Sequence, residues 1–154
     1  MPTEAGPQFE FVFEVRVDIG PSEHVGHGEG DELTFTPIMG GTVDGPRLHG
    51  VVMPGGGDWA VERGTTTQLD ARYLLRTNNG SLIDIVNRGY YHASPEVMAR
   101  LKAGEEVDSA DVYFRTSPVF RTDAPAHRWL AETVFVGLAR DEGQQVCIRS
   151  YAVK

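Results

Sequence analysis

Apolar side chains recur at every second position along much of this chain. In the stretch FEFVFEVRVDIG they occupy alternate positions from Phe9 to Ile19, which is typical of a β-strand with one face turned toward a core. Further short apolar segments follow, separated by turn dipeptides such as Asp44-Gly45 and Asn79-Gly80. The pattern predicts about nine short strands, with a hairpin at Asn79-Gly80.

A different pattern predicts one helix over residues 94–103. Ser94 suits the N-cap, Pro95 the first helical position and Gly104 the stop, with an apolar stripe between them. Many strands and a single short helix indicate a mainly β fold. We expect an antiparallel sheet closed into a barrel, or a sandwich, with the helix over one end.

Length and charge narrow the class of protein. The 154 residues suit one domain, with a loose N-terminus at 1–8 and a single β domain over 9–154. The net charge of −8 repels phosphate backbones and anionic lipids, so neither nucleic-acid nor membrane partners are expected. A lone Cys147 excludes an internal disulfide, and no signal-like start or long apolar run occurs; we expect a cytoplasmic protein.

Four motifs carry a family resemblance. In order they are PIMGGTVDGPRLHGVVMPGGGDW, LDARYLLRTNNGSLIDIVNRG, VYFRTSPVF and WLAETVFVG. With this spacing, the chain from about Phe9 to Val153 resembles the small bacterial β-barrel family catalogued as domain of unknown function 3237. The resemblance implies a single antiparallel barrel with a short helix packed on it and an interior that can hold a small molecule. For some members it also implies cofactor-independent conversion of aromatic or phenolic compounds, including decarboxylation.

The glycine run Gly55–Gly57, followed by Asp58 and Trp59, is the most unusual local feature. A phosphate loop would lead into a helix, usually with a lysine, whereas here a strand begins with an acid. The glycines instead suit a sharp corner at the barrel rim. Such a corner turns Asp58, a candidate catalytic residue, and Trp59, a candidate ligand-binding residue, either toward a ligand or into a turn cap and the core.

Arginine and tyrosine supply further candidates. Tyr113 and Arg115 share one face of their strand, because they are two residues apart. A guanidinium binds a carboxylate at two points and a phenol donates a hydrogen bond, so Arg72, Arg115 and Tyr113 are candidate catalytic residues for an anionic aromatic ligand. Tyr73, on the opposite face from Arg72, is a candidate ligand-binding residue. Either arginine could instead face solvent or form a structural ion pair.

Two histidines complete the candidate ligand-binding set. His27 lies three residues after His24 in a loop rich in glycine, but without a second cluster this spacing predicts no metal site. His49 alternates with Val51, so it either points inward as an acid/base group or lies at an aqueous rim.

The leading functional hypothesis is a cofactor-independent enzyme. It would act on a small aromatic or phenolic acid by acid/base chemistry in the barrel cavity, as a lyase, decarboxylase or isomerase. No metal and no organic cofactor are expected. The alternative is a non-catalytic barrel that binds a small molecule, and assembly into a homo-oligomer is compatible with both.

Overall fold

The computed structural model describes residues 4–154, and ten strands dominate this part of the chain. They are β1 (Phe9–Ile19), β2 (Glu23–His27), β3 (Glu32–Asp44), β4 (Gly50–Val52), β5 (Gly57–Arg63), β6 (Thr66–Thr77), β7 (Leu82–His92), β8 (Tyr113–Arg121), β9 (Phe135–Asp141) and β10 (Gln145–Val153). Two short helices are present, α1 (Pro95–Lys102) and α2 (Arg128–Ala131), with 3-10 turns at Ser109–Asp111 and Pro125–His127. Residues 1–3 of the expected loose terminus lie outside the described residues.

The strands form a closed antiparallel barrel, as the sequence predicted. Eight of them make the ring, in the order β1, β10, β9, β8, β7, β6, β5, β3 and back to β1. The short β4 continues the line of β5 between β3 and β6, and β2 continues the line of β1 along β3. Closure leaves the ring without free edges.

An aromatic core fills one end of the barrel. The Phe120 ring packs edge-on against Phe13 and Phe135, with centroid distances of 5.8 and 5.0 Å. Leu130 of α2, 1% exposed, packs into the same cluster, so α2 closes this end. No helix among the described residues is long and apolar enough to span a membrane.

The helix predicted over 94–103 is confirmed as α1. The Ser94 hydroxyl accepts a hydrogen bond from the Val97 N–H at 3.2 Å, which caps the first turn. Gly104 follows the helix with φ +78°, a backbone conformation that favours glycine.

Two elements differ from the sequence expectations. Residues 23–27, expected to be irregular, form β2, whose mostly exposed side chains carry no alternating apolar signal. Its pairing with β3 shifts register between His24 and Gly26. The segment from Trp129, expected to be strand throughout, begins with the four-residue α2, and β9 starts at Phe135. A helix of one turn is too short to show a helical period.

The glycine run lies in the barrel wall and not at the rim, contrary to expectation. β4 pairs with β6 at Leu75–Thr77, and β5 pairs with β6 between Arg72 and Thr66. The glycine run therefore lies between β4 and β5, opposite the middle of β6. Gly55 has φ +112°, and a Cβ on Gly56 would lie 2.6 Å from the Tyr73 Cβ. The turn therefore needs glycine for backbone conformation at one residue and for close approach at the next.

Replacing Gly56 by alanine should lower the free energy of unfolding by about 1–3 kcal/mol, because the new methyl overlaps the β6 backbone and Tyr73. Gly26→Ala is the matched control, since a Cβ there meets no atom within 4 Å, and it should change stability by less than about 0.5 kcal/mol. Urea unfolding followed by tryptophan fluorescence measures both. Equal losses in the two variants would show that close packing at Gly56 is not required.

Candidate functional site

A cavity of about 130 Å³ lies inside the barrel, away from the aromatic core closed by α2. Much of its wall is apolar and is contributed by Val17, Ile19, Ile38, Leu69, Ala71, Phe114, Val146 and Ile148. The polar side chains in the wall are Thr36, Asp58, Tyr73, Asn87 and Thr116. A largely apolar space with a few inward polar groups is the usual form of a small-molecule site.

Strand register explains why the cavity exists. Thr36, Asp58, Ala71 and Asn87 are partners across the four consecutive strands β3, β5, β6 and β7. Partner residues point to the same side of a sheet, and neighbouring strands are about 4.8 Å apart. The methyl group of Ala71 is thus the only side chain between Asp58 and Asn87 in this row, and its small size leaves space in front of them.

Three polar atoms in the cavity wall are buried without a hydrogen-bond partner in the described part of the chain. They are Tyr73 Oη, Asn87 Oδ1 and Thr116 Oγ1, on residues that are 3%, 3% and 5% exposed. An unpaired buried polar group costs about 1–3 kcal/mol, so three of them around one cavity indicate a place for a polar ligand.

Thr116 lies between two glycines on the neighbouring strands. It is in register with Gly89 on β7 and Gly137 on β9, and a Cβ on Gly137 would collide with the Thr116 hydroxyl. Gly137 therefore leaves space for the hydroxyl, and Gly89 leaves space for the Thr116 backbone and methyl group.

Asp58 and Tyr73 are the titratable groups of the cavity wall. Burial raises the pKa of Asp58, and the nearby Asp70 carboxylate adds to this, while the Asp70 N–H, which donates to Asp58 Oδ1 at 3.0 Å, opposes it. Burial also raises the pKa of Tyr73, with a further contribution from the Asp58 charge. Tyr73 therefore keeps its proton near neutral pH and can donate a hydrogen bond, and Asp58 is the more readily ionised of the two groups.

The charge of the wall has one sign. Among the described residues that line the cavity there is no arginine, lysine or histidine, and Asp58 alone can carry a charge near neutral pH. The interior therefore offers hydrogen bonds and one acid but no cation.

Asp58 and Tyr73 are the two sequence candidates that the structure brings into this cavity. Arg72 lies on the outer wall, where it donates two hydrogen bonds of 3.3 Å to Asp84. Trp59 is 47% exposed and packs against Phe35 with a centroid distance of 4.9 Å. Arg72 and Trp59 share an outer groove of about 460 Å³.

Arg115 and Tyr113 also lie on the outer wall, in a separate groove of about 670 Å³. The Arg115 guanidinium is 5.7 Å from the centre of the Tyr113 ring, and that ring stacks on His92 at 4.7 Å. Asp58, Arg72 and Arg115 thus do not meet in one cavity. Arg115 is flanked along β8 by the inward residues Phe114 and Thr116, so alternation turns it outward.

The two histidine candidates are exposed. His49 Nδ1 lies 2.8 Å from Asp44 Oδ1, and His27 Nδ1 lies 3.6 Å from Glu32 Oε1. Across residues 4–154, no three His, Cys, Asp or Glu side chains are grouped as metal ligands would be.

Sequence reasoning missed Thr36, Asn87 and Thr116. The signal for two of them was available, because Asn87 alternates with the inward Ile83 and Ile85, and Thr116 alternates with Phe114 and Phe120. A small polar residue on the apolar face of a strand is a candidate lining group for a barrel cavity.

The fold and the cavity define the class of protein: a small closed antiparallel β-barrel with polar groups in its interior. The family model described as "Protein of unknown function (DUF3237)" matches residues 7–153. The chain therefore belongs to this family.

The sequence and the fold are similar to those of relatives over almost the whole length of the chain. UPF0311 protein RPA1785 of Rhodopseudomonas palustris is 33% identical over 145 residues, which cover 94% of this chain and 95% of that protein. The crystal structure of RPA1785, a conserved protein of unknown function, superposes with a TM-score of 0.90 at 31% identity and covers 99% of this chain and 100% of the other.

Two other solved structures share the barrel. A β-barrel-like protein from Acinetobacter baumannii gives a TM-score of 0.87 at 32% identity, with 100% of both chains covered. An enzyme from Penicillium herquei gives a TM-score of 0.76 at 19% identity, covering 100% of this chain and 99% of that one. At 19% identity, the similarity to the Penicillium herquei enzyme concerns the fold alone.

The raised pKa of Asp58 predicts how its contribution to stability depends on pH. A carboxyl whose pKa is raised by folding stabilises the protein most below its unfolded value, near 3.8, and this stabilisation is lost as pH rises through the folded pKa. Asp58→Asn keeps an oxygen for the Asp70 N–H and removes the titration. The unfolding free energy of Asp58→Asn minus that of the wild type should therefore rise with pH above about 3.8. Urea titrations from pH 3 to 8 measure it, and a flat or falling difference would contradict the burial argument.

Proposed function

We propose that the barrel interior binds a small neutral compound consisting of one ring with hydroxyl groups, and that Asp58 moves a proton on this compound without a metal or an organic cofactor. The observation that carries this proposal is the trio of buried, unpartnered polar atoms on Tyr73, Asn87 and Thr116, in the same cavity as the partly buried acid Asp58.

The size of the cavity supports a single ring. Its volume is about 130 Å³, and an apolar protein cavity of about 150 Å³ is known to take up benzene. The apolar wall accounts for the ring, and the unpartnered polar atoms account for its hydroxyl groups.

The charge of the wall supports a neutral ligand. Asp58 would repel a carboxylate, and the described residues of the cavity wall include no cation to compensate it. A neutral phenol therefore fits this wall better than the anionic aromatic acid that Arg72 and Arg115 suggested, since both guanidinium groups are on the outer wall. An isomerase or lyase reaction that proceeds by proton transfer on a neutral phenol needs no cation in the cavity, because the substrate has no carboxylate.

The chemistry follows from the properties of a phenol. When the Asp58 carboxylate accepts the hydroxyl proton, the oxygen electron pair increases the electron density of the ring, and a ring carbon can then take up a proton from the Asp58 carboxyl. Tyr73, which stays protonated, can donate a hydrogen bond to the developing negative oxygen. Burial raises the pKa of Asp58, which makes its carboxylate a stronger base for accepting the hydroxyl proton than an ordinary aspartate.

Resorcinol, which is neutral, and benzoate, which is an anion of similar size, test the binding step. We expect resorcinol to bind at least tenfold more tightly than benzoate, as measured by calorimetry. Tyr73→Phe should weaken resorcinol binding roughly tenfold, since one hydrogen bond to a buried group contributes about 1–1.5 kcal/mol. Tyr90→Phe makes the same chemical change on the outer wall, where Tyr90 is 52% exposed, and should leave binding unchanged. Tighter binding of benzoate would favour an arginine site and overturn the proposal.

Deuterium exchange tests the catalytic step. In D₂O the wild type should accelerate exchange of the ring protons of resorcinol, followed by proton NMR, and Asp58→Asn should reduce the rate at least a hundredfold, within the range of general acid–base catalysis. Resorcinol that binds but exchanges no faster than in buffer would identify a non-catalytic binding barrel instead.

A further inference from the structure

A second, smaller cavity adjoins the interior one. It has a volume of about 100 Å³ and lies between the barrel wall and the segment that contains α1 and the following turn. Leu101 and Val107 cover it, and Ala139 lines it from β9. Phe114 lines both this cavity and the interior one, so its ring is the partition between them.

The partition lies where the ladder between β8 and β9 ends. Within the described residues β8 pairs with β9 only at Arg115–Leu138 and Thr116–Gly137, whereas β6 pairs with β7 along almost its entire length. In an antiparallel ladder the next pair would be Phe114 with Ala139, and this pair is not made. The ladder ends at this point, and Phe114 and Ala139 occupy the next positions on the two strands.

Phe114 is held there by packing alone. Its ring meets Tyr91 edge-on with a centroid distance of 5.2 Å, and its side chain is only partly buried. An edge-to-face aromatic contact contributes roughly 0.5–1.5 kcal/mol beyond area burial. The residue is therefore a wall element whose size decides whether the two cavities are separate or continuous.

We propose that Phe114 is a specificity-determining residue that limits the ligand to one ring, and that the cavity behind it is a subsite for a second ring once Phe114 is shortened. The second cavity is suited to this because its wall is partly apolar and also contains polar groups, on Ser109, Arg140 and Asp141. The inference rests on the proposed function, since it takes the interior cavity as the binding site.

Two probes with the same hydroxyl arrangement test the proposal: resorcinol, with one ring, and 1,3-dihydroxynaphthalene, with two fused rings. We expect the wild type to bind resorcinol at least tenfold more tightly than the naphthalene diol. Phe114→Ala should raise the affinity for the naphthalene diol at least tenfold and change that for resorcinol by less than threefold. Phe114→Leu should act in the same direction by a smaller factor, and it provides the test if the alanine variant does not fold.

Phe11→Ala is the matched control. Phe11 packs edge-on against Tyr151 at 5.6 Å and lines neither cavity, so this variant should leave the preference between the two probes unchanged. Thermal unfolding by circular dichroism shows which variants are folded. A folded Phe114 variant with no gain in affinity for the naphthalene diol, or with the same gain as Phe11→Ala, overturns the proposal for Phe114. Failure of resorcinol to bind the wild type counts instead against the proposed function, whatever the naphthalene diol does.

Discussion

Closure of the antiparallel ladder is the constraint on which the rest of this structure depends. Once eight strands form a ring, every second side chain must enter a small interior, and none can turn away to an open edge. At the end closed by α2, this interior is filled by large side chains such as Phe13, Phe120 and Phe135. Toward the other end, the inward positions include Ala71 and small polar residues, and the packing leaves a cavity. The same constraint thus produces the core and the candidate site.

The polar groups of the cavity are difficult to explain as contributions to stability. Tyr73, Asn87 and Thr116 each keep a buried polar atom without a partner in residues 4–154, and apolar side chains of similar shape would avoid that cost. Asp58 is likewise less stable there as an anion, which is why its pKa is raised. Groups that destabilise the folded protein yet share one cavity are the usual mark of a functional site.

The barrel also separates two kinds of side chain that alternate along each strand: the outward ones lie on the outer wall and the inward ones on the inner wall. The outer wall carries charges that pair with one another, as Arg72 does with Asp84 and Arg88 with Asp70. Exposed pairs of this kind contribute little to stability and keep the surface hydrated. The described residues of the cavity wall carry one acid and neutral hydrogen-bonding groups, and no cation.

The short ladder between β8 and β9 shows that strand pairing around the ring is not uniform. Most neighbouring strands pair over long stretches, but these two share only a short ladder, and the side chain of Phe114 lies where the ladder ends.

Local patterns in the sequence were sufficient for the elements whose physics is local. Alternation predicted the long strands, Ser94 and Gly104 predicted the ends of α1, and Asn79-Gly80 predicted the β6–β7 turn, in which Gly80 has φ +88°. The same patterns did not predict β2 or α2, because an exposed edge strand has no apolar period and a single helical turn has too few residues to show one.

The site was decided by the tertiary structure. Alternation shows that Arg72 and Tyr73 face opposite ways, but which of the two faces is inward depends on how the ring closes. Asp58 and Asn87 are far apart in sequence and become near neighbours in one row only because β5, β6 and β7 pair in a particular register. Register is a relation between distant segments, whereas a period of two is a property of one segment, so the sequence alone identified Asp58 and Tyr73 as candidates and could not show which residues share their cavity.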